Sequence, residues 1–576
     1  MREPIDSIPG RLLRHAVERP DTVALTRLGP EGTPTSTLSY GELWHRTGSI
    51  ADELARAEAV GRPVLIPERN GIDYVVAYLA CIRAGAIAVT AHAPRANDRS
   101  GRLESIIKDA GPVRALASTS TVESCLEIGD PSLKSLQFIA TDRDAYGTDD
   151  LDEPPGIDPD RVVMFQYTSG STSDPRAVRV THGNLVANLD AMSSLFYREG
   201  SVGTVCWLPL FHDMGLIGLV MTSLVNGITA NLMAPEEFVM RPVRWLRAIS
   251  RTRSEHSGGP NFAFNLCVER TTPEDRAELD LRCWKSAMNG AEAVRPETIE
   301  RFVEAFGPCG FDDSAMQPCY GLAESTLVVS TRSPGARLGL EHIASKALAE
   351  NRLERCPADQ EDAVAITTCG APIPGHAVAI LDEDDGFMDE EGRVGEICVR
   401  GPSVTHGYRG GEEEDRFPES IDGRTGPWLR TGDLGGFIDG ELVIAGRLKD
   451  LIIVGGSNHH PQDLERTAGE AHEAVDSSGC AAFAVSDAMA HGGEGVVLLV
   501  ELSREQMRAT RKDEAALRVL KESITAAVRS AISRDHAVAL SECVLLKPGS
   551  IPKTTSGKVR RGEAATSWRE GTLPVI

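Results

Sequence analysis

The chain has 576 residues, 41% hydrophobic and 25% charged, which is ordinary globular composition and too much chain for one compact core. A formal net charge of -24 excludes a broad nucleic-acid-binding surface, because neutralising phosphates needs clustered Lys and Arg; any bound anion must be held locally. Twelve cysteines form neither a Cys-x-x-Cys pair nor a Cys/His cluster at zinc-ligand spacing, which sets aside a disulfide framework and a metal finger.

The first six residues lack the basic patch and apolar run of a secretory signal, so a cytoplasmic protein is expected. Apolar runs at 63–67 and 86–89 flank a helix-like segment at 74–83, a strand–helix–strand rhythm. Its repetition to about residue 330 predicts doubly wound α/β layers with mostly parallel sheets. The run at 162–165 leads into Gln166-Tyr-Thr-Ser-Gly-Ser-Thr-Ser-Asp-Pro-Arg176, where Gly170 and the hydroxyls of Thr168, Ser169, Ser171 and Thr172 suit a phosphate cradle. It is not a Walker loop, and neither is Ser556-Gly-Lys558, since both lack the glycine four residues before a Gly-Lys pair. Leu185, Leu189, Met192 and Phe196 then recur at helical spacing with Thr181 or Asn184 as cap, which places the cradle between sheet and helix. The uncharged stretch 214–235 is interrupted by Asn226-Gly227 and reads as a buried helix, turn and strand, so no integral membrane association is expected.

From about residue 364 the texture changes to short alternating runs at 378–381, 395–400 and 441–444, which predict an antiparallel, barrel-like subdomain. Beyond Gly446 come strand candidates at 480–485 and 496–502 and a helix with Leu517, Leu520, Ile524, Val528 and Ile532 on one face. The expected fold class is α/β. A large N-terminal domain, 1–446, carries the doubly wound layers and the barrel-like subdomain; a small α+β C-terminal domain covers 447–576.

Six further segments carry chemistry: Trp207-Leu-Pro-Leu-Phe-His-Asp-Met-Gly215, Asn289-Gly-Ala-Glu292, Cys319-Tyr-Gly-Leu-Ala-Glu324, Trp428-Leu-Arg-Thr-Gly-Asp433, Gly446-Arg-Leu-Lys-Asp450 and Pro552-Lys-Thr-Thr-Ser-Gly-Lys558. In this order they resemble the adenylate-forming superfamily over nearly the whole chain. Segments at 208–218, 257–263, 318–324 and 458–463 resemble most closely its fatty acyl-AMP ligases, and the charged segment at about 331–369 matches the place of that branch's insertion.

The chemistry accounts for the residue types. A carboxylate attacking the α-phosphate of ATP brings two anions together while pyrophosphate leaves, and positioned cations and backbone donors lower such a barrier. The resemblance implies that Thr168, Ser169, Gly170, Ser171 and Thr172 hold the β- and γ-phosphates and that Glu324 binds Mg²⁺. It gives Gly290, Ala291, Glu292, Tyr320 and Gly321 to the adenine slot, and Asp433 with Arg447 to the ribose. Lys558 becomes the catalytic cation between carboxylate and α-phosphate, and Lys449 the hinge of a mobile C-terminal domain. His212 reads either as a core histidine or as a neighbour of the substrate carboxylate. Gly258, Gly259, Asn261, Phe262 and Phe264 read as acyl-pocket or core residues. ATP and Mg²⁺ are the implied cofactors. The implied partner is a separate acyl carrier protein or a polyketide or nonribosomal-peptide carrier domain, since no attachment segment follows residue 561.

Two departures bear on transfer. Arg176-Ala177 stands where many members have Lys-Gly, and Gly455-Gly-Ser-Asn-His-His460 lacks two arginines and an aromatic of the expected pattern. Arg560 and Arg561 are candidates to meet an acidic carrier helix. The alternatives are an acyl-CoA synthetase and a catalytically silent acyl- or nucleotide-binding protein.

Overall fold

A computed structural model describes residues 7–94, 101–142, 157–168, 175–336, 338–388, 390–411, 414–454, 457–486, 494–510, 513–536, 538–554 and 558–576. Two large sheets form the body. The first has nine strands among the described residues, in the order Ala371–Pro372, Val328–Thr331, Met316–Gly321, Ser286–Asn289, His256–Gly259, Gly203–Cys206, Thr229–Leu232, Val23–Leu28 and Pro34–Ser39. Its six central strands, from Met316–Gly321 to Val23–Leu28, are parallel and its edges antiparallel. The second, of six strands, is parallel except where Ala177–Thr181 returns against Val162–Tyr167.

That returning strand corrects one sequence expectation. The loop after Tyr167 does not run from sheet to helix; it joins two antiparallel strands, with Tyr167 opposite Ala177, and the helix His182–Phe196 follows only afterwards. The alternation of 177–181, with only Arg179 exposed, is a half-buried strand pattern that the hydroxyl-rich loop before it obscures. Thr181 and Asn184 then close a reciprocal capping box at the helix start, both residues acting at once.

The uncharged stretch folds as a buried π-helical segment Met214–Met221, a helical turn Thr222–Val225 and the strand Thr229–Leu232 in the middle of the nine-stranded sheet. Among the described residues no helix is long and apolar enough to cross a membrane. Farther on, Ala377–Leu381, Gly395–Arg400, Leu429–Ile438 and Glu441–Arg447 make a four-stranded antiparallel sheet. Within the segment expected as an insertion, Leu340–Ala344 pairs with Ala363–Thr367 as a separate two-stranded sheet.

The C-terminal unit has its own core. Strands Val475–Ser486, Glu494–Leu502 and Leu540–Leu546 form one sheet, against which Leu464, Ile524, Val528 and Ile532 are buried, with Leu517 and Leu520 packed on that core. It touches the large body at chosen points: Arg466 Nη1 lies 3.1 Å from Glu297 Oε1, and Asn458 Nδ2 donates to Asn351 Oδ1 at 3.3 Å, within the inserted segment.

Candidate active site

The parallel strands end together, and the chain places its unusual segments at those ends. Ser286–Asn289 leads to Gly290, Ala291 and Glu292, and Met316–Gly321 ends in Tyr320 and Gly321. Gly321 is required by close approach, since a Cβ there would collide with the carbonyl oxygen of Leu327. The chain doubles back on itself through Thr326, held at φ 67° and ψ -53° in a tight turn where Leu327 N–H donates to Ser325 O at 2.7 Å. A β-branched residue in that conformation stores strain of about 1 to 3 kcal/mol, and here it aims Glu324 inward. Ala291 also holds a positive φ, 67°.

Asp433 and Arg447 stand directly opposite each other on the hairpin Leu429–Ile438 and Glu441–Arg447, and Arg447 Nε lies 2.7 Å from Asp433 Oδ1. The Tyr320 hydroxyl donates to Asp433 Oδ2 at 2.8 Å. The buried carboxylate thus links the end of the parallel sheet to the antiparallel one, and it raises the pKa of Arg447. Burial, and then Asp433, push the Tyr320 phenol well up, so it remains a proton donor.

Lys558 reaches this place from the C-terminal unit. Burial and Arg447 lower its pKa, while Asp213, Glu292 and Asp433 oppose them, which gathers three carboxylates and two cations from five chain segments. Burial raises Glu292, whose Oε1 accepts the Phe262 N–H at 2.6 Å and so fixes the start of the helix Asn261–Arg270. Burial would raise Asp213 too, but His212, the Met214 N–H and Lys558 outweigh it and hold the carboxyl below its usual range. His212 Nδ1 lies 3.0 Å from Asp213 Oδ1, to which Met214 N–H donates at 2.7 Å.

Glu324 is buried and engaged. Its Oε1 accepts from the Tyr408 hydroxyl and lies 3.1 Å from Arg416 Nη1, while Oε2 accepts no hydrogen bond from a described residue. Neither Tyr408 nor Arg416 is visible from sequence as a partner, because the stretch around them is glycine-rich turn without periodicity. Among the described residues no group of three or more His, Cys, Asp or Glu could hold a metal unaided. A single uncommitted carboxylate oxygen fits Mg²⁺ held jointly with phosphates, since that ion is usually bound by one or two carboxylates plus substrate oxygens.

Of the phosphate-loop residues, Thr168 is placed, with its N–H donating to Arg176 O at 3.0 Å, and Arg102 Nη2 lies 3.4 Å from its carbonyl; Ser169, Gly170, Ser171 and Thr172 lie outside the described residues. Arg176 lies over the Tyr408 ring at 5.4 Å, beside the Glu324 cluster. Lys449 sits in the short 3-10 turn Leu448–Asp450 directly after Arg447, where partial desolvation of its ammonium and then the nearby Arg447 lower its pKa.

Beside His212 opens an apolar cavity of about 60 Å³ lined by Trp207, Met214, Val239, Phe262 and Ala291 among others. Of the five residues expected at an acyl pocket, only Phe262 lines it. Phe264 is fully buried in a cluster with Trp245, Trp284 and Phe302. Asn261 is a buried hub, donating to Thr298 Oγ1 at 2.9 Å and accepting from Arg295 N at 3.1 Å. Gly258 packs on Met288, and Gly259 acts indirectly, making room for Trp207. Helix phase separates the two phenylalanines: the helix after Pro260 turns Phe262 to the cavity and Phe264, two residues on, into the core. Arg561 needs a correction as well. Its guanidinium grips both oxygens of Glu465 at 2.7 Å and Asp450 at 3.2 Å, so it ties the unit internally rather than facing a carrier.

Residues 12–409 match the family model "AMP-binding enzyme", and residues 449–576 match "Disco-interacting protein 2-like, AMP domain". The chain belongs to the AMP-binding, adenylate-forming enzymes. It is 38% identical to the medium-chain-fatty-acid–[acyl-carrier-protein] ligase JamA of Moorena producens, over 93% of this chain and 91% of that one. It is 36% identical to the long-chain-fatty-acid–AMP ligase FadD26 of Mycobacterium marinum, over 98% and 97%. A solved structure from studies of fatty acyl-adenylate ligases of E. coli and L. pneumophila superposes with a TM-score of 0.85 at 29% identity, covering 99% of this chain and 98% of that one.

Proposed function

We propose that this chain activates a fatty or related carboxylic acid with ATP and passes the acyl group to the phosphopantetheine thiol of a carrier protein. A carboxylate oxygen attacks the α-phosphorus, the bond to the β-phosphate breaks, and pyrophosphate leaves with the displaced electron pair. The thiolate then attacks the acyl carbonyl and AMP leaves. The observation that carries this reading is Lys558, brought among Asp213, Glu292 and Asp433 beside an apolar cavity that ends at His212. A cation at that position neutralises charge where carboxylate and phosphate meet, and it is preorganised by the carboxylates around it. Asp433 with Arg447 and Tyr320 reads the ribose, Gly290 and Ala291 border the adenine, and the hydroxyl loop from Thr168 cradles the outer phosphates. Glu324 would hold Mg²⁺ through its uncommitted oxygen; when bound, the ion offsets phosphate charge.

Residues 1–446 act in this reading as the adenylation domain and 447–576 as a mobile domain that turns near Lys449. Transfer to a carrier rather than to CoA follows the carrier-loading relatives and the inserted hairpin, whose neighbour Asn351 bonds Asn458 across the units. A cytoplasmic setting suits these substrates. The test is a panel of acids with ATP, read by pyrophosphate release, followed by CoA or holo carrier protein with the thioester read by mass spectrometry. Carrier acylation is expected; acyl-CoA formation without it would promote the synthetase reading, and absence of pyrophosphate with every acid would favour a silent binder.

A further inference from the structure

His460 is 5% exposed, yet neither of its ring nitrogens has a hydrogen-bond partner among the described residues. It precedes the helix Pro461–Glu470 as its N-cap without making a side-chain cap bond. The Nδ1 edge of its ring faces the large body at Gly446, where a Cβ would stand 2.5 Å from Nδ1, so glycine is what admits it. Gly446 is followed by Arg447, whose guanidinium is committed to Asp433 in the site. Beside the polar contacts of Arg466 with Glu297 and Asn458 with Asn351, the imidazole thus joins the C-terminal unit to the strand that carries Arg447 into the site.

The charged groups around it are few. On its own helix are Asp463 and Arg466, 3.8 Å apart, with Arg466 also reaching Glu297 of the helix Pro296–Phe306. The same helix carries the buried Glu465, which is committed to Arg561, and Glu470 at the far end. The preceding strand supplies His459, and the end of the helix Glu514–His536 supplies Asp535 and His536, the latter 2.7 Å from Thr467 Oγ1. Burial outweighs Asp463 and lowers the pKa of His460; His459 and His536 are lowered by burial as well.

We propose that His460 is a positioning residue: as a neutral ring it seats the C-terminal unit against Gly446 in the orientation that delivers Lys558, and a proton on it unseats that unit. The inference rests on the catalytic reading of Lys558. Protonated, both nitrogens become donors with no acceptor in reach, in a desolvated seam and at a helix N-terminus, where the backbone dipole repels positive charge. With the unit swung away the ring meets water and recovers its ordinary pKa of about 6.5. The seated orientation is then unaffected above that pH and disfavoured as pH falls through it, by up to about tenfold per pH unit.

The experiment follows ATP–pyrophosphate exchange and small-angle X-ray scattering from about pH 5.5 to 8 for the intact protein, His460→Phe and His460→Gln. The wild type should lose exchange below about pH 6.5 while its scattering shifts to a second domain arrangement, and both variants should stay flat in both readouts. An acid limb that persists unchanged in the variants, or wild-type scattering that does not move with pH, overturns the proposal. If the Phe variant misfolds, the Gln variant decides. Absence of exchange from the wild type even at pH 7.5 sinks the functional reading instead, and scattering still tests His460.

Discussion

On one side of His212 the chain gathers Asp213, Glu292, Asp433, Arg447 and Lys558; on the other it gathers Trp207, Phe262, Met214 and Val239. The charged side is held by pairings that name their partners, such as Asp433 with Arg447 and Tyr320, and Asp213 with His212. The apolar side is held by stacking, with Trp207 on Phe238 at 3.9 Å between ring centres and on Trp245 at 5.8 Å, where any ring of the right size would serve. Opposite charges in a low-dielectric site are specific and costly to break, whereas apolar contacts are individually weak and exchangeable. Changes on the charged side should therefore alter rate and nucleotide use, and changes on the apolar side should alter which acid is chosen.

The largest effect should come from Lys558→Ala. Removing a preorganised charge from a reacting centre costs about 3 to 4 kcal/mol, a rate loss of two to three orders of magnitude in single-turnover acyl-AMP formation, with the melting temperature nearly unchanged. The wild type carries a pH signature of the same residue. Its pKa is lowered by burial and Arg447, so the cation is lost as pH rises through a value below the ordinary lysine range. Adenylation should show an alkaline limb that Lys558→Arg moves upward; a limb indifferent to that change would detach Lys558 from the chemistry.

Next in size is Asp433→Ala, which strands both the Tyr320 hydroxyl and Arg447. A buried group left without its partner costs about 1 to 3 kcal/mol, so both the ATP KM and the melting temperature should suffer, and Asp433→Asn should restore more stability than affinity. Glu324→Gln is milder. It keeps the Tyr408 contact in shape while removing the charge that would hold Mg²⁺, so the Mg²⁺ concentration for half-maximal turnover should rise several-fold while the KM for the acid stays put. An unchanged Mg²⁺ titration would remove Glu324 from that role.

The charged side was legible in the sequence because its motifs, although built of common loop dipeptides, stand in a recognisable order and spacing. Even there the pairing of Asp433 with Arg447 went unread, although Asp439-Gly440 between two alternating runs marks a hairpin that sets them opposite. The partners of Glu324 had no signal at all, since Tyr408 and Arg416 arrive from irregular chain. On the apolar side the motif around Gly258–Phe264 left pocket and core open, and the structure sets Phe262 at the cavity and Phe264 in the core. Which aromatic faces a cavity depends on helix phase and on sheet packing, and Trp207, Pro235 and Val239 meet there from segments with no pattern in common.

The smallest effect on rate, and the sharpest on choice, should come from Gly259→Ala. The added Cβ would stand 2.8 Å from Trp207 Cζ2 and 3.3 Å from the Ala263 methyl, closer than side chains tolerate, so the indole must give. Phe238 is stacked against it at 3.9 Å and Trp245 backs Phe238 edge-on at 5.6 Å, which leaves the cavity as the open direction. Overpacking of this kind costs about 1 to 3 kcal/mol of stability. The acid loses room near Trp207, and each methylene that can no longer be buried is worth about 0.8 kcal/mol, or roughly fourfold in kcat/KM. The chain-length profile of pyrophosphate release should therefore move to shorter acids, while the KM for ATP remains that of the wild type. Trp207→Phe, which removes a ring instead of crowding it, should move the profile the other way. A uniform fall across all acids in both variants would mean that Trp207 supports the fold without measuring the substrate, and the two sides of His212 would then differ in composition but not in task.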